Sequence, residues 1–282
     1  MRTDSGIGPS EGLKNVRYEI RGRLARRAHE LERQGYEIVS LNIGNPRAFG
    51  LRTPETMRLA MIENLAEAEG YCHQKGIFPA REAVVMQQQE RGISGVTAEE
   101  VFIGNGVSEL IDLTLRALLN EDDEVLVPSP DYPLWTAAVT LNRGRAVHYA
   151  CRPENGFVPD PAELAALVTS RTRAIVIINP NNPTGAVYPR AVLEAIARLA
   201  EERRLVVFAD EIYDQMTYDG AQFVPMATLV HDTLCATLSG LSKVYRACGT
   251  ASAGRSSRAA PSWRRTISRR SSSSPRSGCA AT

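Results

Sequence analysis

Short apolar runs alternate with amphipathic stretches over most of the chain after residue 100. The runs are Val101–Ile103, Val125–Val127, Ala146–Tyr149, Ala174–Ile178, Leu205–Ala209 and Leu234–Leu238. Between them, apolar positions recur at helical spacing over 107–119, 161–168 and 189–203. Strand and helix patterns in alternation predict an α/β fold, in which helices cover both faces of a mostly parallel sheet.

Several residues suited to ligand binding follow directly on the predicted strands. Gly104, Asn179, Asp210 and Ser239 each come at the end of an apolar run. In open α/β sheets, ligands bind beyond the carboxyl ends of the strands. We therefore expect these residues to meet in one site at that edge of the sheet. Before this region, residues 17–34 predict a charged helix, and LNIGNP at 41–46 predicts a loop.

Composition and charge disfavour several classes of protein. Hydrophobic residues make up 43% of the chain and charged residues 23%, which is globular. Residues 250–282 carry seven Arg and no acid, so the total charge of +1 leaves −6 for the remainder, which does not suggest nucleic-acid binding. The five cysteines lack CxxC spacing and indicate neither a disulfide framework nor a metal site. Without an apolar signal segment or a membrane-spanning run, we expect a cytoplasmic protein.

GNGVSE at 104–109 follows a predicted strand and opens a predicted helix. Its glycines allow a tight turn, and the N–H groups at a helix start can hold a phosphate. A plain strand–helix turn explains the string equally well. A dinucleotide fingerprint would need a third glycine where Glu109 stands, which disfavours a nucleotide-dependent dehydrogenase.

Two further strings supply an aromatic ring and an amide. SPDYPLW at 129–135 places Tyr132 and Trp135 after a strand, where a ring can stack on a flat cofactor or pack into the core. NPNNPTG at 179–185 predicts a rigid turn. Such a turn needs its Pro and Gly but not two adjacent Asn, so we expect Asn182 to aim its amide into the site.

The last two strings supply an acid and an amine. Asp210 in ADEIYD ends a buried strand, where an unpaired carboxylate is costly, so a cation such as a protonated pyridine nitrogen is its natural partner. A helix N-terminal acid is the alternative. Tyr213 lies one helical turn further on. Lys243 in SGLSKVYRACG could form a Schiff base, although most lysines simply lie at the surface.

The order of these strings along one α/β chain is the decisive feature. In this order the chain resembles the class I/II (fold-type I) pyridoxal-phosphate-dependent aminotransferases, and residues 17–249 are most similar to their bacterial alanine aminotransferase branch. The resemblance is carried by LNIGNP, GYCHQKGIFPAREAV, VFIGNGVSELIDL, EVLVPSPDYPLWTAAV, AIVIINPNNPTGAVY, VFADEIYD and LSGLSKVYRACG.

The resemblance implies a role for each of these residues. Lys243 would hold pyridoxal 5'-phosphate (PLP) and move the proton between substrate and cofactor, while Asp210 would keep the pyridine nitrogen protonated. Tyr213 and Asn182 would bind the phenolic oxygen, with Asn182 also beside the substrate. The remaining implied contacts are Tyr132 stacked on the ring, Gly106, Val107, Ser108 and Ser242 at the phosphate, Gly44 at the substrate carboxylate, and Tyr71 reaching the cofactor of the partner in a homodimer.

The reaction implied by the resemblance is ping-pong transamination. An amino acid such as L-alanine would leave its amino group on PLP and become pyruvate, and 2-oxoglutarate would collect the group. We expect small amino and oxo acids as the only partners besides a second copy of the chain, with no metal, nucleic acid or membrane. Two alternatives stay open, namely an inactive truncated remnant of such an enzyme and a PLP-dependent carbon–sulfur lyase on the same fold.

The chain departs from the family pattern after Gly249. The family continues with a string close to GYRVGW, whose Arg binds the phosphate, but Ala251 stands there. We therefore expect an N-terminal arm and small-domain segment at 1–45, an incomplete PLP-binding large domain at 46–249 and an aberrant Arg/Ser-rich tail, disordered by its composition, at 250–282. The sheet would lack one central strand, and the small C-terminal domain with its Arg for the substrate carboxylate would be missing.

We predict that residues 250–282 are read from a shifted frame. GTASAG at 249–254 can be written GGT-ACC-GCG-TCG-GCT-GGG, which contains TAC-CGC-GTC-GGC-TGG, or Tyr-Arg-Val-Gly-Trp, in another frame. In that frame TISRRSSSSP can encode Tyr-Leu-Glu-Ala-Leu-Glu-Leu-Leu-Ala, an amphipathic helix, and SGCAAT can encode Arg-Leu-Cys-Ser-Asn. Sequencing the gene around codon 249 tests this. If no frame gives Tyr-Arg-Val-Gly-Trp there, the tail is a true feature of the protein.

Overall fold

The fold is built around one seven-stranded sheet. The structure is a computed structural model that describes residues 8, 10–13, 16, 22–40 and 44–248, and the backbone of 253–258. The α-helices of these residues are α1 (Arg23–Arg33), α2 (Glu55–Glu63), α3 (Phe78–Glu90), α4 (Val107–Leu118), α5 (Leu134–Leu141), α6 (Pro161–Ala166) and α7 (Arg190–Glu202). The strands are β1 (Phe102–Gly104), β2 (Glu124–Ser129), β3 (Arg145–Ala150), β4 (Thr172–Ile178), β5 (Val206–Asp210), β6 (Cys235–Gly240) and β7 (Ala253–Arg258).

The sheet has the strand order β1-β7-β6-β5-β4-β2-β3. The strands from β2 to β6 pair in parallel, and β7 runs antiparallel to both of its neighbours. The predicted mostly parallel sheet is thus confirmed. Because parallel neighbours end at the same edge, β4, β5 and β6 deliver the residues that follow them to one place.

Alternate residues of the central strands pack into two separate cores, one on each face of the sheet. In β4, Ile175 and Ile177 belong to the core that includes α6 and α7, whereas Val176 and Ile178 belong to the core that includes α4 and α5. Side chains alternate between the faces of a strand, so a strand covered on both sides must be apolar throughout. This explains the continuous apolar runs of the sequence.

The six strands predicted from apolar runs are all present, with ends that differ from the prediction by at most two residues. Helices predicted over 107–119, 161–168 and 189–203 are present as α4, α6 and α7. The helix predicted over 17–34 is described as α1, and residues 17–21 lie outside the described part. The sequence did not predict α2, α3 or α5. No helix among the described residues is long and apolar enough to cross a membrane.

The predicted gap in the sheet is wrong at residues 253–258. The backbone of β7 lies between β6 and β1, with Ala253 opposite Gly240 and Arg258 opposite Cys235. A ladder is built from backbone N–H and C=O groups, which every residue of this segment carries whatever its side chain. A composition typical of disorder therefore does not prevent strand pairing here. The other tail residues lie outside the described part, and the domain boundaries at 45 and 249 stay predictions.

We predict that a variant ending at Cys248 is less stable than the full chain. Without β7, the six residue pairs that it forms with β6 and the three that it forms with β1 are lost. The edges of β6 and β1 that faced β7 would then be open to pairing with other chains. The variant should unfold at a lower temperature and aggregate at a lower concentration, which calorimetry and light scattering would measure. Equal unfolding temperatures for the two chains would show that β7 does not support the sheet.

Candidate active site

A cavity of about 440 Å³ opens at the carboxyl ends of β4, β5 and β6, beside the start of α4. The predicted site residues that line it are Gly106, Val107, Ser108, Tyr132, Asn182, Asp210, Tyr213, Ser242 and Lys243. Asn105, Glu109, Ile178, Ile212, Gly240 and Cys248 complete the lining. Strand ends distant in sequence thus bring nearly all predicted site residues to one place.

The start of α4 forms one wall of this cavity. Gly106 is the N-cap residue, and the first N–H groups of a helix have no acceptor within the helix, so they are available to an anion. Glu109 is turned back to the preceding loop, where its carboxylate accepts the backbone N–H of Asn105 at 2.6 Å. A Cβ on Gly104 would lie 2.7 Å from the Glu109 carboxylate and 2.9 Å from Cδ2 of Leu110, so a larger residue there would displace both side chains.

Asp210 faces the cavity because of the alternation along β5. Phe208 belongs to the core beside α4 and α5, and Asp210, two residues on, points to the same face. The indole N–H of Trp135 donates to one carboxylate oxygen, Oδ2, at 3.0 Å. The other oxygen, Oδ1, is buried and has no hydrogen-bond partner among the described residues. Burial raises the pKa of Asp210 to about 6, against the opposing effect of the Trp135 and Ile212 N–H groups.

This carboxylate fits a cationic ligand. A buried acceptor without a donor is unfavourable, and the Asp210 carboxyl borders the cavity. A protonated pyridine nitrogen would supply both the missing donor and the missing positive charge. The residues present are therefore compatible with PLP at this place.

Asn182 and Tyr213 lie together on the same cavity. The Asn182 amide donates to the Tyr213 hydroxyl at 3.4 Å. Burial raises the pKa of Tyr213 to about 12, so its hydroxyl stays protonated at neutral pH and can act as a donor. The neighbouring Asn179 and Asn181 instead hold the turn, accepting the backbone N–H groups of Tyr188 and Thr184 respectively. Asn182 does not hold the turn and instead faces the cavity.

Lys243 lies where this cavity meets a second cleft of about 940 Å³. Its Nζ donates to the backbone carbonyl of Gly44 at 3.5 Å. The Thr53 hydroxyl donates to the carbonyl of Arg246 at 3.0 Å, which joins the N-terminal segment to the lysine loop a second time. Gly44 lines only the second cleft, so it contacts the site through Lys243.

The second cleft is strongly basic, which the sequence did not indicate. Arg47, Arg52, Arg58 and Arg246 line it together with Lys243. Arg58 pairs with Glu55 at 2.9 Å. In the described part of the chain, the other three guanidinium groups have no hydrogen bond or ion pair. Such a surface attracts carboxylates, and here it lies beside a primary amine.

Two predicted aromatic residues lie differently from the others. Tyr71 is fully exposed and lines neither cavity. Its predicted contact with a partner's cofactor stays a prediction. Trp135 is fully buried and contacts Asp210 through its N–H, a role that the sequence did not indicate.

Proteins similar to this chain are aminotransferases. The glutamate-pyruvate aminotransferase AlaA of Haemophilus influenzae is 51% identical over 240 residues, which cover 85% of this chain and 59% of that protein. AlaA of Escherichia coli K12 is 50% identical over 245 residues, which cover 87% of this chain and 60% of that protein. The chain thus spans about three fifths of these relatives.

The fold and the family agree with these similarities. A crystal structure of an aminotransferase from Escherichia coli superposes with a TM-score of 0.88 at 48% identity, covering 90% of this chain and 63% of that chain. The sequence profile of the family described as aminotransferase class I and II matches residues 36–282, which include every residue of the cavity. The chain therefore belongs to the class I and II aminotransferase family.

Proposed function

We propose that this chain is the PLP-binding part of an aminotransferase that transfers an amino group between L-alanine and 2-oxoglutarate by a ping-pong mechanism. The observation that carries the proposal is that Asp210, with its unpartnered carboxylate oxygen, and Lys243 line the same cavity. The names of the two AlaA relatives support the substrate pair. The basic cleft supports it too, because 2-oxoglutarate and glutamate each carry two carboxylates.

Asp210, Tyr213 and Asn182 would bind and orient the cofactor ring. PLP supplies an electron sink that stabilises negative charge at the substrate α-carbon. Asp210 would keep the ring nitrogen protonated, and the indole N–H of Trp135 holds one oxygen of this carboxylate in place. Tyr213 and Asn182, which are hydrogen-bonded to each other on the cavity wall, would donate to the phenolic oxygen.

The other residues of the cavity would hold the phosphate and handle the proton. The N–H groups of Val107 and Ser108 and the hydroxyls of Ser108 and Ser242 would donate to the phosphate, and Tyr132 would cover the ring. The Nζ of Lys243 takes the proton from the substrate α-carbon and can return it. Gly44 lies directly beside this amine, at a distance where a Cβ on Gly44 would be in ordinary contact with Nζ, 3.8 Å away.

The working form would be a cytoplasmic homodimer. Support for the dimer comes from the segment 59–78, which exposes many large apolar side chains for a soluble chain. They are Leu59, Met61, Ile62, Leu65, Tyr71, Ile77 and Phe78. If a second copy of the chain covered this segment, Tyr71 of each subunit would contact the other subunit.

The first test is covalent capture of PLP. The lysines of the chain are Lys14, Lys75 and Lys243. After incubation with PLP and reduction with borohydride, mass spectrometry should find the label on Lys243. Lys75 is a matched control, because its amine already donates to the Glu99 backbone and carboxylate. A label on Lys14 or Lys75 in place of Lys243 would refute the assignment.

Transamination is tested in a chain whose frame is restored after residue 249. Lys243→Ala should abolish alanine:2-oxoglutarate activity, because one amine both holds the cofactor and moves the proton, whereas Lys75→Ala should leave most of it. Release of pyruvate and ammonia from a sulfur-containing amino acid, without 2-oxoglutarate, would instead identify the lyase. An inactive 282-residue chain beside an active restored chain would identify the 282-residue chain as the truncated remnant.

The pKa of Asp210 gives a test that needs no turnover. A carboxyl whose folded pKa is raised to about 6, from 3.8, stabilises the fold only at low pH, and this contribution is lost as the pH rises through 6. Asp210→Asn should therefore raise the free energy of unfolding at pH 8 by up to about 3 kcal/mol, with little effect at pH 4. The same variant should bind PLP more weakly. A stability difference that does not depend on pH would contradict the buried, unpartnered carboxylate.

A further inference from the structure

The basic cleft of about 940 Å³ meets the cavity at Lys243 and Cys248, which line both. Its other charged lining residues are Arg47, Arg52, Glu55, Arg58 and Arg246. The five cations and one acid of this wall give it a formal charge of +4. Glu55 and Arg58 neutralise each other through an ion pair of 2.9 Å, so the excess charge belongs to three guanidinium groups and the lysine amine.

A tight turn places Arg47 and Arg52 on this cleft. Residues Pro46–Phe49 form a single 3-10 turn, in which the carbonyls of Pro46 and Arg47 accept the N–H groups of Leu51 and Gly50, each at 3.1 Å. Gly50 has a φ of +78°, in the left-handed region that favours glycine. The chain therefore turns sharply between the two arginines, and both of them line the same cleft.

Two hydrogen bonds attach this segment to the lysine loop. The Lys243 Nζ donates to the carbonyl of Gly44 at 3.5 Å, and the Thr53 hydroxyl donates to the carbonyl of Arg246 at 3.0 Å. The segment 44–53 is thus held near both of its ends. An anion bound by the arginines of the cleft would consequently lie beside the lysine amine.

The chemistry of the wall suits a ligand with more than one carboxylate. A guanidinium presents a planar set of donors that matches a carboxylate, and several cations in one concave site reinforce each other's attraction for anions. Within the part of the chain that the structure describes, the guanidinium groups of Arg47, Arg52 and Arg246 make no hydrogen bond or ion pair. A monocarboxylic ligand would leave much of this charge unmatched, whereas a dicarboxylic ligand supplies a second anionic group.

We propose that Arg47, Arg52 and Arg246 hold the side-chain carboxylate of a dicarboxylic amino acid or 2-oxo acid, and that the basic cleft thereby selects dicarboxylic over monocarboxylic substrates. The use of this subsite in amino-group transfer rests on the proposed function. Binding of a dicarboxylate beside the Lys243 amine is a property of the cleft alone, and it is measured without the cofactor.

The first test measures binding to the 282-residue chain in the absence of PLP. Glutarate is the probe, because it carries two carboxylates but no oxo or amino group, and valerate is its match of equal chain length with one carboxylate. Calorimetry should give glutarate an affinity at least about tenfold above that of valerate, since a second charge-assisted contact is made. Equal affinities would overturn the proposal without any substitution.

A double variant assigns this binding to the arginines. Arg47→Gln/Arg52→Gln should lower the affinity for glutarate at least about tenfold and bring it close to that for valerate. Both arginines are exposed, so the fold should be kept, which the unfolding temperature checks. An unchanged affinity for glutarate in this variant would refute the assignment.

Two matched controls separate the cleft from the charge of the whole protein. Glu55→Gln/Arg58→Gln removes the neutral ion pair from the same cleft and should leave the affinity for glutarate as it is. Arg198→Gln/Arg203→Gln removes two exposed arginines that do not line the cleft, and it too should have little effect. If this second control weakens glutarate binding as much as Arg47→Gln/Arg52→Gln does, the cleft is not the binding site.

Reductive capture tests whether the bound carboxylate lies beside Lys243. The oxo carbon of a 2-oxo acid condenses with a primary amine with loss of water, and cyanoborohydride reduces the imine to a stable adduct. At low concentration, 2-oxoglutarate should label Lys243 about tenfold faster than 2-oxovalerate, which has the same chain length. Arg47→Gln/Arg52→Gln should remove this difference. Lys75, which does not line the cleft, should show no such preference.

Two further outcomes would overturn the proposal. If the double variant slows the capture of both oxo acids equally, the arginines serve the carboxylate that all substrates share and do not select among them. If glutarate binds through the arginines but Lys243 shows no preference for 2-oxoglutarate, the cleft does not position a substrate. Failure to capture PLP on Lys243 would count against the proposed function alone, since none of these measurements uses PLP.

Discussion

The structure depends on a single constraint at the end of β5, where two consecutive carboxylates enter the protein interior on opposite faces of the sheet. Asp210 is 2% exposed and Glu211 is 1% exposed. The alternation of side chains along a strand separates them, so the same cation cannot serve both. Each face must therefore provide its own partner, and a buried charge without one is unfavourable.

The two faces solve this problem differently. Behind the sheet, Arg91 supplies a permanent cation to Glu211 and Asp214. In front, Trp135 satisfies only one oxygen of Asp210, and the described part of the chain offers no cation to the other. The front face is thus left incomplete by the protein, at the point where a cavity begins. This asymmetry suits a ligand that brings its own positive charge to the front face, while the acids at the rear already have a cation in Arg91.

The sequence predicted what depends on local pattern and missed what depends on distant contacts. The apolar runs gave β4, β5 and β6, and the residues at their ends gave Asp210, Asn182 and Lys243 as candidates. Trp135 donates to a carboxylate 75 residues away, and Arg91 pairs with one 123 residues away. Neither partner can be inferred from spacing along the chain. The prediction for residues 253–258 was wrong for a different reason. The composition of this segment indicated disorder, but its backbone pairs with β6 as a strand.

Lys243 is the point at which two environments of opposite charge meet. On one side lies the Asp210 carboxylate with its unpartnered oxygen, and on the other lie the arginines of the basic cleft. Asp210 would attract the ring of a ligand with a cationic ring, and the arginines would attract its anionic substituents. Together they would orient the ligand with its reactive carbon near the Lys243 amine. The acid and the arginines come from segments far apart in the sequence, so this polarity exists only while their loops keep their spacing. Arg91 holds the loop after β5, and Thr53 holds the lysine loop. Both contacts therefore help to maintain this arrangement of charges, although neither side chain is one of the charged groups that would bind the ligand.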